Sequence, residues 1–345
     1  MLSILITVLG LGLLIAAHEA GHLLLARLMG MRVETYSIGF GPRLAGFRSG
    51  DTDYRISALP LGGYCKIAGF TPDDPAAQDP ADTGSYMNKP AWRRFLVIAA
   101  GPGVNWLVAF VLIAALYMTH GFIDLRTTRV EVLPGGPAAA AGMQTGDQVR
   151  SVDGVAIAAF SDLQRELHKE VGPERRIEVL RAGVPRSLRV RPDNGRISVK
   201  QDRVLLRVPF TEAIPRAASD TWAWSGQMLG GLADAARGRG GSLAGPIGIV
   251  KQASAEVKRG VADFAAVLAN ISIGLAIFNF LPVPALDGGR LVFLGIELVS
   301  GRKVNQKAES VMHLIGLLLL LALVLGVTVF GDLQLGKKLF HPHDG

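Results

Sequence analysis

The chain has 345 residues, of which 49% are hydrophobic and 19% are charged, and its formal net charge is +7. This length accommodates two or three structural units, and the apolar balance favours a membrane protein over a soluble enzyme. The positive charge is modest and no basic block is of the kind that binds nucleic acid, so we expect no nucleic-acid partner. Cys65 is the single cysteine, which excludes an internal disulfide bond.

The first predicted element, within residues 1–30, is an apolar helix from Leu2 to Leu28 that is long enough to cross a bilayer. No charged segment precedes it, so we interpret it as a retained span rather than a cleaved signal peptide. It contains His18, Glu19 and His22 in the pattern H-E-x-x-H, which places both imidazoles on one helical face. Such a pair can bind a metal beside a glutamate general base. Ionisable groups inside a span by default indicate a functional site, whereas two histidines that only pack between helices are the alternative.

Residues 31–90 are predicted to form a β-rich, membrane-associated loop and a linker. Between Val33 and Phe70, aromatic and β-branched residues alternate with polar ones and are separated by Gly-Pro and Ser-Gly-Asp turns, which indicates β-hairpins. Residues 71–82 are rich in proline and aspartate and are predicted to be an ordinary surface loop.

A second span is predicted within residues 91–119, from about Phe95 to Met118. The stretch Gly101 to Asn105 is expected to interrupt its first half. Its small residues would permit close helix packing, and the alternative for Pro102 is a kink without a role in chemistry.

Residues 120–208 are predicted to be a soluble α/β unit. A strand, a Pro-Gly turn and a short alanine helix ending at Gly142 come first, and a second strand follows a Gly-Asp turn. A helix is then predicted at Phe160–Lys169, followed by strands at Arg176–Arg181 and Ser187–Val190. This order resembles a PDZ domain of the bacterial protease type. PDZ domains bind an extended peptide at a sheet edge, and a unit that only restricts access to an active site is the alternative.

Residues 209–262 are predicted to be an amphipathic juxtamembrane segment. Trp222 and Trp224 lie in its helical part, where they would suit the headgroup level of a bilayer. A plain connector whose apolar face packs on protein is an equally valid interpretation.

The last region, residues 263–345, is predicted to contain the third and fourth spans and a polar tail; the spans run from about Phe264 to Leu281 and from about Val311 to Phe330. Pro282 and Pro284 prevent a regular helix after the third span. Broken backbone at membrane depth requires burial in protein or a wet cavity. Asp287 lies on this break, where its carboxylate would suit a cation, while a helix-capping aspartate is the alternative.

With four spans, the connection before the second span and the connection between the third and fourth spans lie on the same side of the membrane. Both connections carry basic residues, and basic residues beside a span favour the cytoplasm. We therefore expect the soluble unit and both termini outside the cytoplasm. Lys337 and Lys338 in the tail argue weakly for the opposite orientation. In the expected topology the first and third spans run in the same direction, so His18 and Asp287 reach the same depth, towards the cytoplasmic side.

We accordingly predict a metal bound by His18, His22 and Asp287, with water in the fourth position. Two imidazoles and a carboxylate suit catalytic zinc. The same set suits non-haem iron, and zinc is chosen because of the helical H-E-x-x-H context. Glu19 would take a proton from the attacking water as general base, and an amide carbonyl polarised by the metal would be the electrophile.

The combined motifs resemble the site-2 protease family of intramembrane zinc proteases, in particular the bacterial RseP-like branch that regulates sigma-factor signalling. The motifs that carry the resemblance span nearly the whole chain: HEAGH, GFGP, SGDTDYRISALPLGGYCKIAG, AAGPGVN, the PDZ-like unit, GPIGI and NFLPVPALDGGRL. The resemblance implies an α-helical membrane protein with four transmembrane helices, a membrane-associated β-rich loop and an inserted PDZ domain. Well-known sigma-E-regulating members carry two PDZ units, whereas this chain has room for one.

The resemblance also implies roles for particular residues: His18 and His22 as zinc ligands, Asp287 as the third ligand, Glu19 as base and Asn279 in substrate handling. It implies substrates with a single span, such as an anti-sigma factor already cut by an upstream site-1-type protease, or remnant signal peptides. The expected location is the bacterial cytoplasmic membrane.

Two other functions remain as alternatives. One is a catalytically silent membrane scaffold whose PDZ unit recruits peptides, which the presence of both Glu19 and Asp287 argues against. The other is a metal transporter, which would need ligands on several spans, while the second and fourth spans offer only His313.

Overall fold

The computed structural model describes residues 1–123, 128–169, 174–193, 195–202, 205–237 and 245–332. The tail with Lys337 and Lys338 lies outside these residues. The chain divides into two compact units, one made of Met1–Leu116 with Phe210–Gly345 and the other of Tyr117–Pro209.

The helices and strands follow one another in three stretches. The first contains α1 (Leu2–Leu28), β1 (Val33–Ser49), β2 (Thr52–Ile67), α2 (Pro75–Gln78), a 3₁₀ turn (Tyr86–Asn88) and α3 (Ala91–Thr119). The second contains β3 (Phe122–Ile123), β4 (Val130–Val132), α4 (Pro137–Ala140), β5 (Gln148–Val152), β6 (Val155–Ala156), α5 (Phe160–Lys169), β7 (Arg175–Arg181), β8 (Val184–Val190), β9 (Val199–Gln201) and β10 (Leu205–Leu206). The third contains α6 (Phe210–Ala236), α7 (Pro246–Arg259), α8 (Val261–Phe280), α9 (Asp287–Ser300), α10 (Gln306–Gly326) and a π-helical turn (Val327–Asp332).

Four helices in the described residues are long and apolar enough to cross a membrane: Leu2–Leu28, Ala91–Thr119, Val261–Phe280 and Ala308–Val329. They agree with the four predicted spans. The expected interruption of the second span is wrong, because α3 continues through Pro102. A proline removes one backbone hydrogen bond, and neighbouring helices in a membrane protein commonly compensate for that loss.

The predicted β-rich loop is a long, bent hairpin of β1 and β2. Residues 35–38 of β1 pair with residues 63–66 of β2 on one side and with residues 53–56 on the other, so β2 folds back around β1. The Tyr36 hydroxyl donates a hydrogen bond of 2.8 Å to the Ala16 carbonyl, which fixes the hairpin to α1 beside the H-E-x-x-H sequence. A buried apolar cluster then joins this hairpin to α1, α3 and α9; it includes Ala26, Val33, Ile67, Val97, Ile98 and Leu294.

The second unit has a four-stranded antiparallel sheet in the order β6-β5-β7-β8. Burial alternates along β7, as expected for a strand with one face on the core. Val149, Ile177, Val179 and Leu163 of α5 form the centre of that core, and each contributes about 1.5–3 kcal/mol through burial. The helix and strands predicted here are confirmed, whereas a PDZ domain stays a prediction.

An ion pair between a buried aspartate and a partly exposed arginine lies at one end of this sheet. The Asp147 side chain is 1% exposed and accepts a hydrogen bond of 2.7 Å from Arg181. Burial by itself raises the pKa of Asp147, but the hydrogen bonds from Arg181 and from the backbone N–H of Gln144 outweigh it, so the pKa lies below its usual value.

Candidate metal centre

The two histidines of α1 face the same way and are almost fully buried. His18 is 8% exposed and His22 is 7% exposed, because the helical repeat places residues four apart on one face. Their rings meet edge to face with centroids 4.9 Å apart. The two Nε2 atoms lie 3.2 Å apart, so both lone pairs point towards one place.

Asp287 reaches the same place from the other end of the chain. Helix α8 ends at Phe280, and α9 begins at Asp287 after a non-helical segment that contains both prolines. The Asp287 Oδ2 atom lies 3.1 Å from His18 Nε2 and 3.4 Å from His22 Nε2. The alternative of a capping aspartate is not supported, since α9 has no side-chain cap hydrogen bond and this carboxylate oxygen faces the histidines.

The three ligand atoms are spaced as a zinc ion requires. A tetrahedral site with bonds of roughly 2.0–2.1 Å has ligand atoms about 3.4 Å apart, and the observed separations are 3.1, 3.2 and 3.4 Å. Asp287 Oδ2 is buried without a hydrogen-bond partner in the described part of the chain. A cation bound between these atoms would satisfy that oxygen, so the residues fit a zinc ion.

Contacts from α3 orient both imidazoles. His22 Nδ1 lies 2.8 Å from the Val97 carbonyl oxygen, which can only accept, so this nitrogen carries the proton and Nε2 keeps its lone pair. His18 Nδ1 lies 3.2 Å from the side-chain amide of Asn105. An amide that turns its oxygen towards Nδ1 would select the same tautomer for His18, as partners behind metal-binding histidines commonly do.

Two glycines allow α1 and α3 to approach closely at this point. A Cβ atom at Gly21 would lie 2.5 Å from the Ala100 carbonyl oxygen. A Cβ atom at Gly101 would lie 2.3 Å from His22 Nε2 and 2.7 Å from His18 Nε2. The expectation that small residues in this stretch permit close helix packing is confirmed at Gly101. The contact of Asn105 with His18 was missed by the sequence analysis, although an amide inside a span was an available signal.

The other two predicted site residues are Glu19, which lies beside β2, and Asn279, which makes a hydrogen bond within its own helix. Glu19 is half-buried beside β2, and a Cβ atom built on Gly63 would lie 3.6 Å from its Cγ atom. The amide of Asn279 donates to the Leu275 carbonyl in its own helix at 3.0 Å. No described hydrogen bond or ion pair joins Asn279 to the histidines or to Asp287, so its predicted role in substrate handling stays a prediction.

The thiol of Cys65, in β2, lies close enough to Glu19 to interact with it electrostatically. Burial raises the pKa of Cys65 to about 12, and the negative charge of Glu19 contributes in the same direction. The thiol is therefore protonated at neutral pH and is a poor metal ligand in this state.

The chain is similar to known proteins over most of its length. A profile described as Peptidase family M50 matches residues 6–323. A protein from Rhizobium meliloti that is named as a zinc metalloprotease is 33% identical to this chain, and the alignment covers 93% of this chain and 92% of the relative. Two further proteins named as zinc metalloproteases are similar to this chain. The one from Agrobacterium fabrum is 30% identical and aligned over 93% of its own length, and the one from Clostridium perfringens is 29% identical and aligned over 97%.

Proposed function

Because the chain belongs to peptidase family M50 and is a zinc metalloprotease, we propose that it cleaves single-span membrane proteins within the bilayer, with His18, His22 and Asp287 as zinc ligands. The observation that carries this proposal is the convergence of three ligand atoms within 4.8 Å of one another. Two of them belong to an apolar helix that is long enough to span a membrane. A hydrolytic centre there would act on peptide segments that lie in the bilayer.

We assign the proton transfers to Glu19. Zinc, when bound, polarises a carbonyl group and makes a water molecule more acidic. Glu19 accepts the proton that the attacking water gives up and then donates it to the nitrogen of the departing amine. The carbon–nitrogen bond breaks, the water oxygen stays on the carbonyl carbon, and the carboxylate of Glu19 is restored.

The hairpin of β1 and β2 is proposed to hold the substrate as an extended strand. Gly63 of β2 lies beside Glu19, so a strand added to this sheet would pass close to the general base. Peptide bonds in a helix are hydrogen-bonded within it and are less accessible to attack. Asn279 uses one amide N–H for the Leu275 carbonyl, and its other N–H and its amide oxygen would be the groups that assist the substrate.

We further propose membership of the RseP-like branch with a single PDZ domain in residues 120–208. The substrates would be an anti-sigma factor cut first by a site-1-type protease, or remnant signal peptides. The protein would lie in the bacterial cytoplasmic membrane, with the PDZ domain and both termini outside the cytoplasm. Lys89, just before α3, and Arg93 and Arg94 in its first turn support this orientation, since basic residues beside a span favour the cytoplasmic side.

The test of the proposed chemistry is the isosteric substitution Glu19→Gln in the full-length protein. Loss of general-base catalysis should slow cleavage of a tagged single-span reporter by roughly 100-fold or more, while one zinc ion per chain is retained. Glu256→Gln is the matched control and should cleave the reporter at the native rate, because Glu256 lies on α7, outside the proposed site, and pairs with the exposed Arg259.

The zinc content of two further variants tests the ligands separately. His22→Phe and Asp287→Ala should each lose zinc from the purified protein, because each removes one of three ligands. Cleavage by Glu19→Gln at the native rate would refute the role of Glu19. Native zinc content in His22→Phe and Asp287→Ala would refute the assigned metal site.

A further inference from the structure

The segment between α8 and α9 needs support from outside itself. It has no regular helix or strand from Leu281 to Leu286, and Ala285 has φ of +82°. A residue with a Cβ atom rarely adopts this strained conformation, which persists only where the surrounding structure enforces it. Asp287 follows two residues later, so whatever holds Ala285 also determines where the carboxylate of Asp287 lies.

Helix α10 makes two contacts with this segment from one face. The backbone N–H of Ala285 donates a hydrogen bond of 2.9 Å to His313 Nδ1. Gly316, three residues further along the same face, lies so close that a Cβ atom on it would be 2.5 Å from the Pro284 carbonyl oxygen. The fourth span therefore packs directly against the backbone that precedes Asp287.

The hydrogen bond from Ala285 determines which nitrogen of the neutral His313 ring carries the proton. Because Nδ1 accepts, it carries no proton, so the proton of the neutral ring is on Nε2. Nε2 lies 3.9 Å from Glu309 Oε1, one turn earlier in α10, and that carboxylate oxygen is also 3.8 Å from Arg290. The negative charge of Glu309 faces the Nε2–H group and favours the tautomer that can accept from Ala285.

We propose that His313 is a positioning residue of the metal centre: it accepts the Ala285 hydrogen bond and so holds Asp287 within reach of His18 and His22. This inference rests on the proposed role of Asp287 as a zinc ligand. No described hydrogen bond or ion pair joins His313 to the three ligand atoms. It acts on the metal through the backbone, and α10 thereby contributes to zinc binding without supplying a ligand.

The test compares two substitutions of almost equal shape. Asn and Leu both branch at Cγ, but Asn places an acceptor oxygen close to the position of Nδ1, and Leu has none. In the full-length protein, His313→Leu should lower zinc affinity by about 10–100-fold, as loss of an outer partner of a metal ligand typically does. His313→Asn should recover most of that affinity. Affinity is measured by competition with a chelator, and the visible absorption of the cobalt-substituted protein reports on the ligand geometry.

A second pair of variants tests the packing contact independently and remains informative if His313→Leu fails to fold. Gly316→Ala should push Pro284 away and weaken zinc binding. Gly326→Ala, in the same helix, should not, because a Cβ atom there meets nothing within 4 Å. Equal zinc affinity in all four variants would overturn the proposal, as would His313→Asn binding zinc no better than a folded His313→Leu.

Asp287→Ala distinguishes failure of this inference from failure of the proposed function. If Asp287→Ala loses zinc while His313→Leu binds it normally, only the positioning role of His313 is wrong. If Asp287→Ala itself retains zinc, the assignment of the third ligand is wrong as well.

Discussion

Substitution of Gly101 by alanine should disable the metal centre although Gly101 is neither a ligand nor a base. The added Cβ atom would lie 2.3 Å from His22 Nε2, whereas ordinary contact begins at 3.4 Å, so the ring must retreat by about 1 Å. His22 Nδ1 is held at 2.8 Å by the carbonyl of Val97, which belongs to the same helix as Gly101. The ring therefore cannot move away from position 101 without weakening this hydrogen bond.

The expected effect of Gly101→Ala follows from these distances. Displacement of a positioned group by about 1 Å costs roughly 100-fold in rate, and disturbance of a ligand's orienting contact costs about 10–100-fold in metal affinity. Zinc per chain is measured by mass spectrometry of the purified protein, affinity by chelator competition, and rate by cleavage of a single-span reporter.

Gly103→Ala is the matched control for Gly101→Ala. It lies in the same helix, and a Cβ atom there meets nothing within 4 Å. Alanine in a helix interior is more favourable than glycine by about 0.5–1 kcal/mol, so this control should bind zinc normally and be at least as stable as the native protein. Native zinc affinity and native rate in Gly101→Ala would refute the reasoning.

Three further predictions concern charge and burial. Cys65, with its pKa near 12, should react with a maleimide at pH 8 roughly 1000-fold more slowly than a thiol with the ordinary pKa, and rapid labelling of the folded protein would contradict this. Glu297→Ala should destabilise the protein by about 3–5 kcal/mol in thermal unfolding, because it leaves the buried guanidinium of Arg94 without its ion-pair partner; an unchanged midpoint would show that the pair contributes nothing. Because the pKa of Asp147 is lowered in the folded state, its ion pair with Arg181 stabilises the unit above the unfolded pKa of Asp147. That contribution should disappear as the pH falls through the folded pKa. Amide hydrogen-exchange protection factors of this unit, which are corrected for the intrinsic pH dependence of exchange, should therefore fall in acid, and protection that stays constant would refute the prediction.

The sequence predicted the elements whose signals are local. Four apolar runs of sufficient length became four helices, since the bilayer imposes length and hydropathy on each span separately. The strands at β7 and β8 were predicted, and burial along β7 alternates with a period of two, whereas most of β8 is exposed. The spacing of His18 and His22 was enough to place both rings on one face, because three to four residues make one helical turn.

Other features depend on contacts between residues far apart in sequence. That the break at Pro282 and Pro284 brings Asp287 to within 3.4 Å of both histidines required the packing of α8 and α9 against α1. The continuity of α3 through Pro102 was missed because neighbouring helices can compensate for the backbone hydrogen bond that a proline removes, and one segment's sequence does not show those neighbours.

The sequence by itself was enough to identify the two histidines and the carboxylate that could bind a metal. Ionisable residues are unusual inside an apolar span or at a break between helices, so these three could be recognised without the structure. Only the tertiary structure decided what surrounds them. Gly101, Asn105 and His313 act through close approach and through single hydrogen bonds between segments that are far apart in sequence. Such contacts leave no periodic pattern in any one segment, since each depends on where two segments meet.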